Sequence, residues 1–470
     1  MRKALAILFL GSLFAPLAAR SGDFEDDLAL RLDRLRRRFA LNRAIGVSVT
    51  RLSDGETLYA HNASRAFVPA SGMKLVTMAA ALHYLGSDYR FETRLVSDGS
   101  LEEGVLRGDL FVVGSGDPAL GDFELDQVAA ALSGLGIRAI EGSLLLDDRL
   151  FDDSERGDAA YQEALVHGRP TQSALAFNSN RVEFRFRAAQ AVGATAIMRD
   201  LGSGYYAIDN RVKTAGKGRP WIRFIKSRRA QRLVAYGRVL WGSEEELAVG
   251  LLAPDAPLYL GSALVGKLRE RGIEIRGGIR RGAADRPGLR EIHVHRSATL
   301  IQILGLLGKN SDNFVAEQIL KVLGAQRFGR PGSFETGARA LSDYLTGLGL
   351  PPEEFHILDG SGLSYDNRVS PATLVKVLTE LYRSQLRADF LCSLAFGGVD
   401  GTLRHRLLKE EHLGRVIAKT GSLAGISSLS GFAFSPTRGA MAFSILLNGI
   451  GKQWRGDYVE DEIARALLDP

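Results

Sequence analysis

The distribution of hydrophobic and polar residues along the chain predicts helices and strands at both ends and a strand-rich region between them. Near the start, Asp26–Leu41 places leucine and phenylalanine three or four residues apart, as in an amphipathic helix. Residues 44–62 alternate apolar and polar positions on either side of Asp54-Gly55, a dipeptide that favours a hairpin turn. The apolar periodicity that follows Ser71 predicts a second helix.

Residues 91–282 consist of short strand-like runs separated by glycine-rich and aspartate-rich turns, which predicts a β-rich region. Residues 416–449 predict three antiparallel strands before a last helix near Asp457–Leu468. We therefore expect an α/β (α+β) domain built from residues 20–90 and 283–470, into which residues 91–282 insert as two small β-rich domains. Four helices are predicted after the insertion, at Thr299–Leu307, Asp312–Leu323, Gly337–Leu348 and Ala372–Leu386.

Residues 1–19 have the pattern of a secretory signal peptide, with two basic residues, an apolar run and small residues up to a cleavage site near Ala19. An uncleaved membrane anchor is the alternative interpretation. Cys392 is the only cysteine, so the sequence predicts no internal disulfide and no thiolate metal site. Export together with the lack of disulfides favours a bacterial periplasm.

The composition is that of a soluble globular protein, with 45% hydrophobic and 24% charged residues. A chain of 470 residues is too long for one compact core. The formal charge of +6 is too small to indicate a nucleic-acid partner. Lysine accounts for only 12 of the 60 basic residues, so a lysine can mark a place where arginine would not serve. A desolvated lysine can give up its proton, whereas arginine cannot.

Ser71 and Lys74 lie three residues apart at the start of the second predicted helix. A lysine one helical turn after a serine projects on the same side, so the pair has the arrangement of a nucleophile and its base. The helix start also favours negative charge. Taken alone, the pair is more often a helix cap followed by a surface lysine.

Two tripeptides further along the chain change this balance. Ser311-Asp312-Asn313 is predicted to open a helix, and Lys419-Thr420-Gly421 is predicted to lie in a strand of the C-terminal sheet. Each alone has an ordinary structural explanation, as an N-cap or an edge-strand charge. All three motifs in this order are typical of penicillin-binding proteins and class A β-lactamases. GSGDPAL, by contrast, lacks the glycines and the lysine of a nucleotide-binding loop.

The chain resembles the class C low-molecular-mass penicillin-binding proteins, the D-alanyl-D-alanine carboxypeptidases/endopeptidases of peptidase family S13. The resemblance extends over nearly the whole chain and includes the flanking segments GDLFVVGSGDPAL, SALAFNSN, LDGSGLSYDNRVSP, GGVDGTLRHR and KTGSLAGISSLSGF. It implies a catalytic domain with the penicillin-binding-protein/serine β-lactamase-like fold, accessory domains inserted into it, and no metal or other cofactor. It also implies peptidoglycan stem peptides as substrates and β-lactams as covalent inhibitors.

The resemblance further implies a role for each catalytic residue. Ser71 attacks the amide carbonyl and forms an acyl-enzyme. Lys74, kept neutral by burial and by nearby Lys419, takes the serine proton. Ser311 relays a proton towards the leaving amine, and Asn313 holds the substrate backbone.

The substrate-binding residues are implied in the same way. Lys419 and Thr420 of the Lys-Thr-Gly motif, which ends at Gly421, face the terminal carboxylate of D-alanine. The oxyanion hole is formed by the backbone N–H groups of Ser71 and Ser422.

The sequence departs from the family where the third residue of the stem peptide is recognised. Tyr365 stands where the family commonly has a basic residue, and Asp147 is the aligned candidate for the acidic partner of a side-chain amine. VHGRPTQ replaces the usual aromatic and proline residues before SALAFN. His83 is expected in the core or at the surface, and a triad of Ser71 with His405 and Asp400 is disfavoured because Lys74 already serves Ser71.

Residues Arg211–Arg232 include nine basic residues and no acidic one. We hypothesise peripheral contact of this segment with an anionic cell-wall polymer or membrane surface. A solvated strand face is the ordinary alternative.

Two functions compete with the peptidase. A β-lactamase or esterase would use the same catalytic set, but the large insertion argues against it. The second is a penicillin-binding scaffold without activity, and the intact motifs argue against it.

Overall fold

The computed structural model describes residues 21–39, 41, 43–153, 170–201, 204–226 and 232–468. The predicted signal peptide, VHGRPTQ up to residue 169, and Arg228 and Arg229 lie outside the described residues. Within the described part of the chain, no helix is both long enough and apolar enough to cross a membrane.

A six-stranded antiparallel sheet combines the two ends of the chain, in the order β2-β1-β24-β23-β22-β21. The hairpin at Asp54-Gly55 and the three C-terminal strands form as predicted, and the mixed α/β fold class is confirmed. The strands of this sheet are β1 (Ile45–Arg51), β2 (Thr57–His61), β21 (Ala395–Phe396), β22 (Val416–Leu423), β23 (Ile426–Ser435) and β24 (Gly439–Asn448).

Helices cover both faces of this sheet, because successive strand residues point to opposite sides. The helices of residues 21–90 and 297–470, which we call the catalytic region, are α1 (Ser21–Arg38), α2 (Met73–Leu85), α5 (Leu300–Asn310), α6 (Asn313–Phe328), α7 (Phe334–Gly347), α8 (Pro371–Arg383), α9 (Arg387–Ser393) and α10 (Gln453–Leu468). On β24, Ala442 and Leu446 pack with α2 and α5–α8, whereas Phe443 and Ile445 pack with α1 and α10.

The inserted region begins and ends on one five-stranded sheet, in the order β17-β8-β6-β3-β18. Because β18 pairs with β3, this sheet continues to Arg296, beyond the predicted boundary at 282. Its strands are β3 (Glu92–Ser97), β6 (Leu110–Val113), β8 (Leu144–Asp147), β17 (Ile279–Arg281) and β18 (Arg290–Arg296).

Two helices in the inserted region were not predicted, α3 (Asp122–Gly134) and α4 (Ala256–Glu270). Their apolar side chains pack into the core of the insertion with Leu110 and Leu144 of the five-stranded sheet. Two further strand groups complete the region: β9 (Arg181–Arg187), β10 (Ile197–Asp200) and β15 (Leu247–Leu252), and β11 (Ala207–Asn210), β12 (Lys213–Ala215), β13 (Trp221–Lys226) and β14 (Arg232–Leu240).

The remaining strands are short. They are β4 (Leu101–Glu102), β5 (Val105–Leu106), β7 (Ala139–Ile140) and β16 (Glu274–Ile275) in one sheet, and β19 (Phe355–His356) paired with β20 (Arg368–Val369).

Candidate active site

Ser71 lies in a single 3-10 turn, Ala70–Gly72, that leads directly into α2. Ala70 has a φ of +47°, a left-handed conformation that is uncommon for a residue with a side chain and is often found at functional sites. Gly362 packs so tightly against this turn that an added Cβ atom would lie 1.7 Å from the carbonyl oxygen of Ala70. The close approach therefore requires glycine at 362.

Lys74 has no exposed surface, and its ammonium group faces three acceptors. Nζ donates to Ser71 Oγ at 2.9 Å, to Asn313 Oδ1 at 2.7 Å and to the carbonyl oxygen of Ser361 at 2.7 Å. Burial lowers the pKa of Lys74 to about 8, against the opposing charges of Glu317 and Asp359. A lysine at this pKa can exchange a proton with the serine hydroxyl close to neutral pH.

The second motif joins α5 to α6. Ser311 ends α5 with a φ of +59°, and Asp312 rather than Ser311 caps α6 by accepting from the Val315 N–H. The expectation that Ser311 could be an N-cap is therefore wrong. The left-handed conformation instead sets the hydroxyl of Ser311 2.9 Å from Lys419 Nζ, while Asn313 begins α6 beside Lys74.

Lys419 lies on β22 and, like Lys74, has no exposed surface. Burial and the nearby charge of Lys74 lower the pKa of Lys419 well below its ordinary value. Repulsion between the two lysines is mutual, so it disfavours the doubly protonated pair, and burial is the largest cause of the lowered pKa at each.

Gly421 brings β22 against the turn that carries the serine. A Cβ atom at Gly421 would lie 2.3 Å from Ser428 Oγ and 2.8 Å from the backbone nitrogen of Ser71. Ser428 in turn donates to the carbonyl oxygen of Pro69 at 2.7 Å. Only a residue without a side chain fits between these groups, so glycine sets the separation of β22 from Ser71.

The outer residues of the same strand lie at the surface of the site. Thr420 Oγ1 lies 2.8 Å from Thr402 Oγ1, and the exposed Ser422 accepts from Gln453 Nε2 at 2.9 Å. The backbone N–H groups of Ser71 and Ser422 remain the predicted oxyanion hole.

Tyr365 and Asp147 lie in different surroundings. Tyr365 is 50% exposed, and its hydroxyl accepts from the Ala424 N–H at 3.1 Å, which joins its loop to the turn between β22 and β23. Asp147, at the end of β8, accepts from Arg149 at 2.9 and 2.8 Å and from the Ala284 N–H at 2.7 Å. Recognition of a substrate amine by Asp147 stays a prediction, and it would compete with this ion pair.

Sequence interpretation missed the structural role of the loop at residues 359–367, whose buried part, residues 359–362, accepts a hydrogen bond from Lys74. Asp359 accepts from the Gly362 and Ser364 N–H groups at 2.6 and 2.7 Å, and from Asn367 Nδ2 at 2.8 Å. The signal for this loop was present in the segment LDGSGLSYDNRVSP, whose Asp, Ser and Asn residues favour turns closed by side chains.

His83, His405 and Asp400 make their contacts with residues outside the three motifs. His83 packs against the rings of Tyr84 and Tyr344. Asp400 accepts from Lys309 Nζ at 2.5 Å and from the Phe396 N–H, while His405 contacts Arg404. Among the described residues, no group of three or more His, Cys, Asp or Glu side chains could hold a metal ion.

The chain is similar to one family of enzymes over most of its length. The model of the D-Ala-D-Ala carboxypeptidase 3 (S13) family matches residues 29–467. A D-alanyl-D-alanine carboxypeptidase of Actinomadura sp. (strain R39) is 32% identical over 95% of this chain and 87% of that protein. The D-alanyl-D-alanine carboxypeptidase DacB of Haemophilus influenzae is 27% identical over 90% of this chain and 88% of its own length.

Solved structures share the fold. Penicillin-binding protein 4 from Haemophilus influenzae superimposes with a TM-score of 0.77 at 26% identity, covering 93% of this chain and 98% of that one. The same protein in complex with a novel β-lactam gives a TM-score of 0.73 at 25% identity over 92% of this chain and 98% of the other.

Proposed function

The chain belongs to the D-Ala-D-Ala carboxypeptidase S13 family and is a serine-type D-Ala-D-Ala carboxypeptidase, and we propose that Ser71 is its nucleophile and Lys74 its general base. One observation carries this assignment. The fully buried Lys74 donates to Ser71 Oγ at 2.9 Å, and its pKa is lowered to about 8. A base with a pKa close to the working pH is best suited to take the serine proton.

Acylation then follows from the arrangement of the three motifs. Ser71 Oγ attacks the carbonyl carbon of the D-Ala-D-Ala amide while its proton passes to Lys74, and the oxyanion is held by the N–H groups of Ser71 and Ser422. Ser311, hydrogen-bonded to Lys419, relays a proton to the nitrogen of the leaving D-alanine as the C–N bond breaks. Water hydrolyses the resulting ester and restores Ser71.

The substrate lies between β22 and the loop that carries Tyr365. Lys419 and Thr420 bind the terminal carboxylate of D-alanine, and Asn313 binds the peptide backbone. Tyr365 places an exposed aromatic ring at this cleft, so we assign it to the stem peptide beyond the scissile bond. The natural substrates are peptidoglycan stem peptides and the D-Ala-centred crosslinks between them, on which the same chemistry is an endopeptidase reaction.

Covalent labelling tests the proposal. The purified protein is incubated with a fluorescent penicillin, and the modified residue is identified by mass spectrometry. A stable adduct on Ser71, absent in Ser71→Ala, is the expected result. Lack of an adduct in the wild-type protein would contradict the peptidase assignment, and rapid release of hydrolysed drug would favour a β-lactamase.

We also infer that the enzyme works in the periplasm, because its substrate lies there and residues 1–19 have the pattern of a signal peptide. Expression of the full chain in a bacterium, followed by fractionation and sequencing of the mature N-terminus, tests this. A mature chain in the periplasmic fraction that begins near residue 20 is expected. A full-length chain in the membrane fraction would favour the uncleaved anchor.

The basic segment of the inserted region supports a second contact. On β13, Trp221, Arg223 and Ile225 alternate with more buried residues, and Trp221 and Ile225 are 41% and 57% exposed. Arg238 of β14 pairs with both Trp221 and Lys213, so these side chains share one face. We call Lys213, Trp221, Arg223, Ile225 and Arg238 the basic sheet face.

An anionic lipid surface suits this face better than a polymer, because arginines meet phosphate groups while tryptophan and isoleucine enter the interface. Sedimentation with vesicles containing an anionic lipid, at low and high salt, is the test. Arg223→Glu and Trp221→Ala are expected to reduce binding, and Arg187→Glu, on the exposed end of β9, is the control with the same charge change. Binding to isolated cell wall but not to vesicles would assign the face to the polymer.

A further inference from the structure

One buried carboxylate of the catalytic region takes no part in the mechanism above. Glu317 lies on α6 among buried residues, beneath the loop that contacts Lys74. We propose that Glu317 is a positioning residue for Lys74, which it orients through the peptide units of Gly360 and Ser361. The inference rests on the proposed role of Lys74 as the base.

The carboxylate holds two consecutive backbone N–H groups. Glu317 Oε2 accepts from the Gly360 N–H at 3.1 Å, and Oε1 accepts from the Ser361 N–H at 3.3 Å. Thr77 of α2 holds the same loop from the other side by donating to the Gly360 carbonyl oxygen at 2.7 Å. The loop is thereby fixed between two helices, and the Ser361 carbonyl oxygen accepts from Lys74 Nζ at 2.7 Å.

One face of helix α6 reaches Lys74 in two ways, directly through Asn313 and through the loop that Glu317 holds. Asn313 begins the helix and accepts directly from Lys74 Nζ at 2.7 Å. Glu317 follows one turn later on the same side of the helix, because residues four apart are neighbours on a helix surface. Two of the three acceptors of the ammonium group therefore depend on α6, which fixes Nζ towards Ser71 Oγ.

The charge of Glu317 also acts on the proton of Lys74. Its carboxylate is the largest electrostatic influence that raises the pKa of Lys74, followed by Asp359 and Asp312. Lys419 faces the pair from β22, and burial together with Asp359 raises the pKa of Glu317 itself. Ionised Glu317 opposes the effect of burial, so that Lys74 retains enough affinity to hold the proton it takes from Ser71.

The experiment compares Glu317→Gln and Glu317→Asp with wild type in the rate constant for acylation of Ser71 by a chromogenic penicillin, measured across pH. Acylation requires neutral Lys74, so the wild-type rate rises with pH through about 8. Glu354→Gln is the matched control, because Glu354 is another buried carboxylate, which accepts from Ser370 and Thr373 at the start of α8. Thermal unfolding of each variant reports folding.

Removal of the charge in Glu317→Gln is expected to move the midpoint of this rise to lower pH by about one unit. Its plateau is expected to fall about tenfold or more, since the NH2 group that replaces one carboxylate oxygen donates and cannot accept, which leaves one of the two N–H groups without its acceptor. Glu317→Asp keeps the wild-type midpoint with a lower plateau, and Glu354→Gln matches wild type in both. A wild-type plateau in Glu317→Gln, or an equal fall of the plateau in Glu354→Gln, would overturn the proposal.

Two further outcomes are distinguishable. If Glu317→Gln does not unfold cooperatively, Glu317→Asp decides, and a plateau equal to wild type would overturn the proposal, because a shorter carboxylate cannot hold both N–H groups. If wild-type Ser71 is not acylated at all, the proposed function fails before the role of Glu317 is reached.

Discussion

The catalytic region and the inserted region use positive charge in opposite ways. In the catalytic region, Lys74, Lys321 and Lys419 have no exposed surface. In the inserted region, cations such as Arg185 and Arg199 lie at the surface and pair with glutamates that are themselves partly exposed. Water and salt screen the second kind of charge but not the first. The identity of the cation therefore matters inside the catalytic region and matters little on the surface of the insertion.

Burial alone does not mark a reactive lysine, as the three buried lysines show. Lys321 pairs with the carboxylate of Asp152 at 2.8 Å and lies against the rings of Phe151 and Phe334, which is a structural arrangement. Lys74 instead meets a hydroxyl, an amide and a carbonyl oxygen. With neutral acceptors, a buried ammonium is not fully compensated, and release of its proton is favoured.

The strongest test of this difference is replacement of lysine by arginine in both regions. Lys74→Arg keeps a positive charge, but a guanidinium is always protonated and cannot accept the serine proton. We expect acylation of Ser71 by penicillin to slow by about 10³-fold, as measured by the rate of adduct formation. Lys213→Arg on the basic sheet face is expected to leave this rate unchanged. A Lys74→Arg rate within about tenfold of wild type would show that another group removes the proton.

Replacing a glycine by alanine in each region tests how closely the backbone of that region is packed. Gly421→Ala places a Cβ atom 2.8 Å from the Ser71 nitrogen, so β22 must move away from the serine. We expect the acylation rate to fall about 10²-fold, because the proposed oxyanion hole and the proposed nucleophile lose their alignment. Gly250→Ala on β15 is the control, since its Cβ would meet only atoms of Arg181 at 4.0 Å. Equal rates for Gly421→Ala and wild type would contradict the close approach.

The three motifs could be predicted because each is local in sequence, and spacing alone sets Ser71 and Lys74 on one side of a helix. Pairing of the chain ends was also predictable, from hydrophobic alternation on both sides of the insertion. The support of Lys74 by Glu317 could not be predicted, because Glu317 acts through a loop that lies more than forty residues away from it along the chain. Such contacts are set by tertiary packing and leave no periodic signal.

The helices α3 and α4 show where pattern analysis failed within the insertion. Leu125, Val128, Ala129 and Leu132 do follow helical spacing, but the segment is short and lies between glycine-rich turns. In α4, the close packing requires glycine at 261, because Ile279 and Leu146 lie within 3 Å of where a Cβ atom would be. Glycine lowers helix propensity in isolation, so tertiary packing overrides the local signal there.

The inserted region also contains a buried acid, Asp117. Its titration shows whether burial disfavours the charged form there, as it does for Lys74 in the catalytic region. Asp117 is 3% exposed, and burial raises its pKa from 3.8 to about 7. The folded chain therefore holds a proton that the unfolded chain releases between these values, so this group makes folding less favourable as pH rises through that window. Asp117→Asn cannot ionise and is expected to gain stability relative to wild type, by about 1–3 kcal/mol near neutral pH.

Chemical denaturation of Asp117→Asn and wild type at several pH values measures this gain. It should grow as pH rises from about 4 towards 7 and level off above 7, where Asp117 is ionised in both states. A difference that does not vary with pH would mean that the carboxyl group has its ordinary pKa in the fold.

The smallest effect on stability is expected for the exposed ion pairs of the insertion, whose charges are screened by water, unlike that of Lys74. Arg185 Nε lies 2.8 Å from Glu183 Oε1, but the two side chains are 41% and 42% exposed. The gain from such a pair is offset by the entropy of fixing two long side chains, so Arg185→Ala should change the free energy of unfolding by less than Asp117→Asn does. Denaturation at low and high salt measures it, and the difference should vanish at high salt. A larger, salt-independent loss would mean that the surface of the insertion is held by charge as firmly as the catalytic centre, and the contrast between the two regions would then lie only in chemistry.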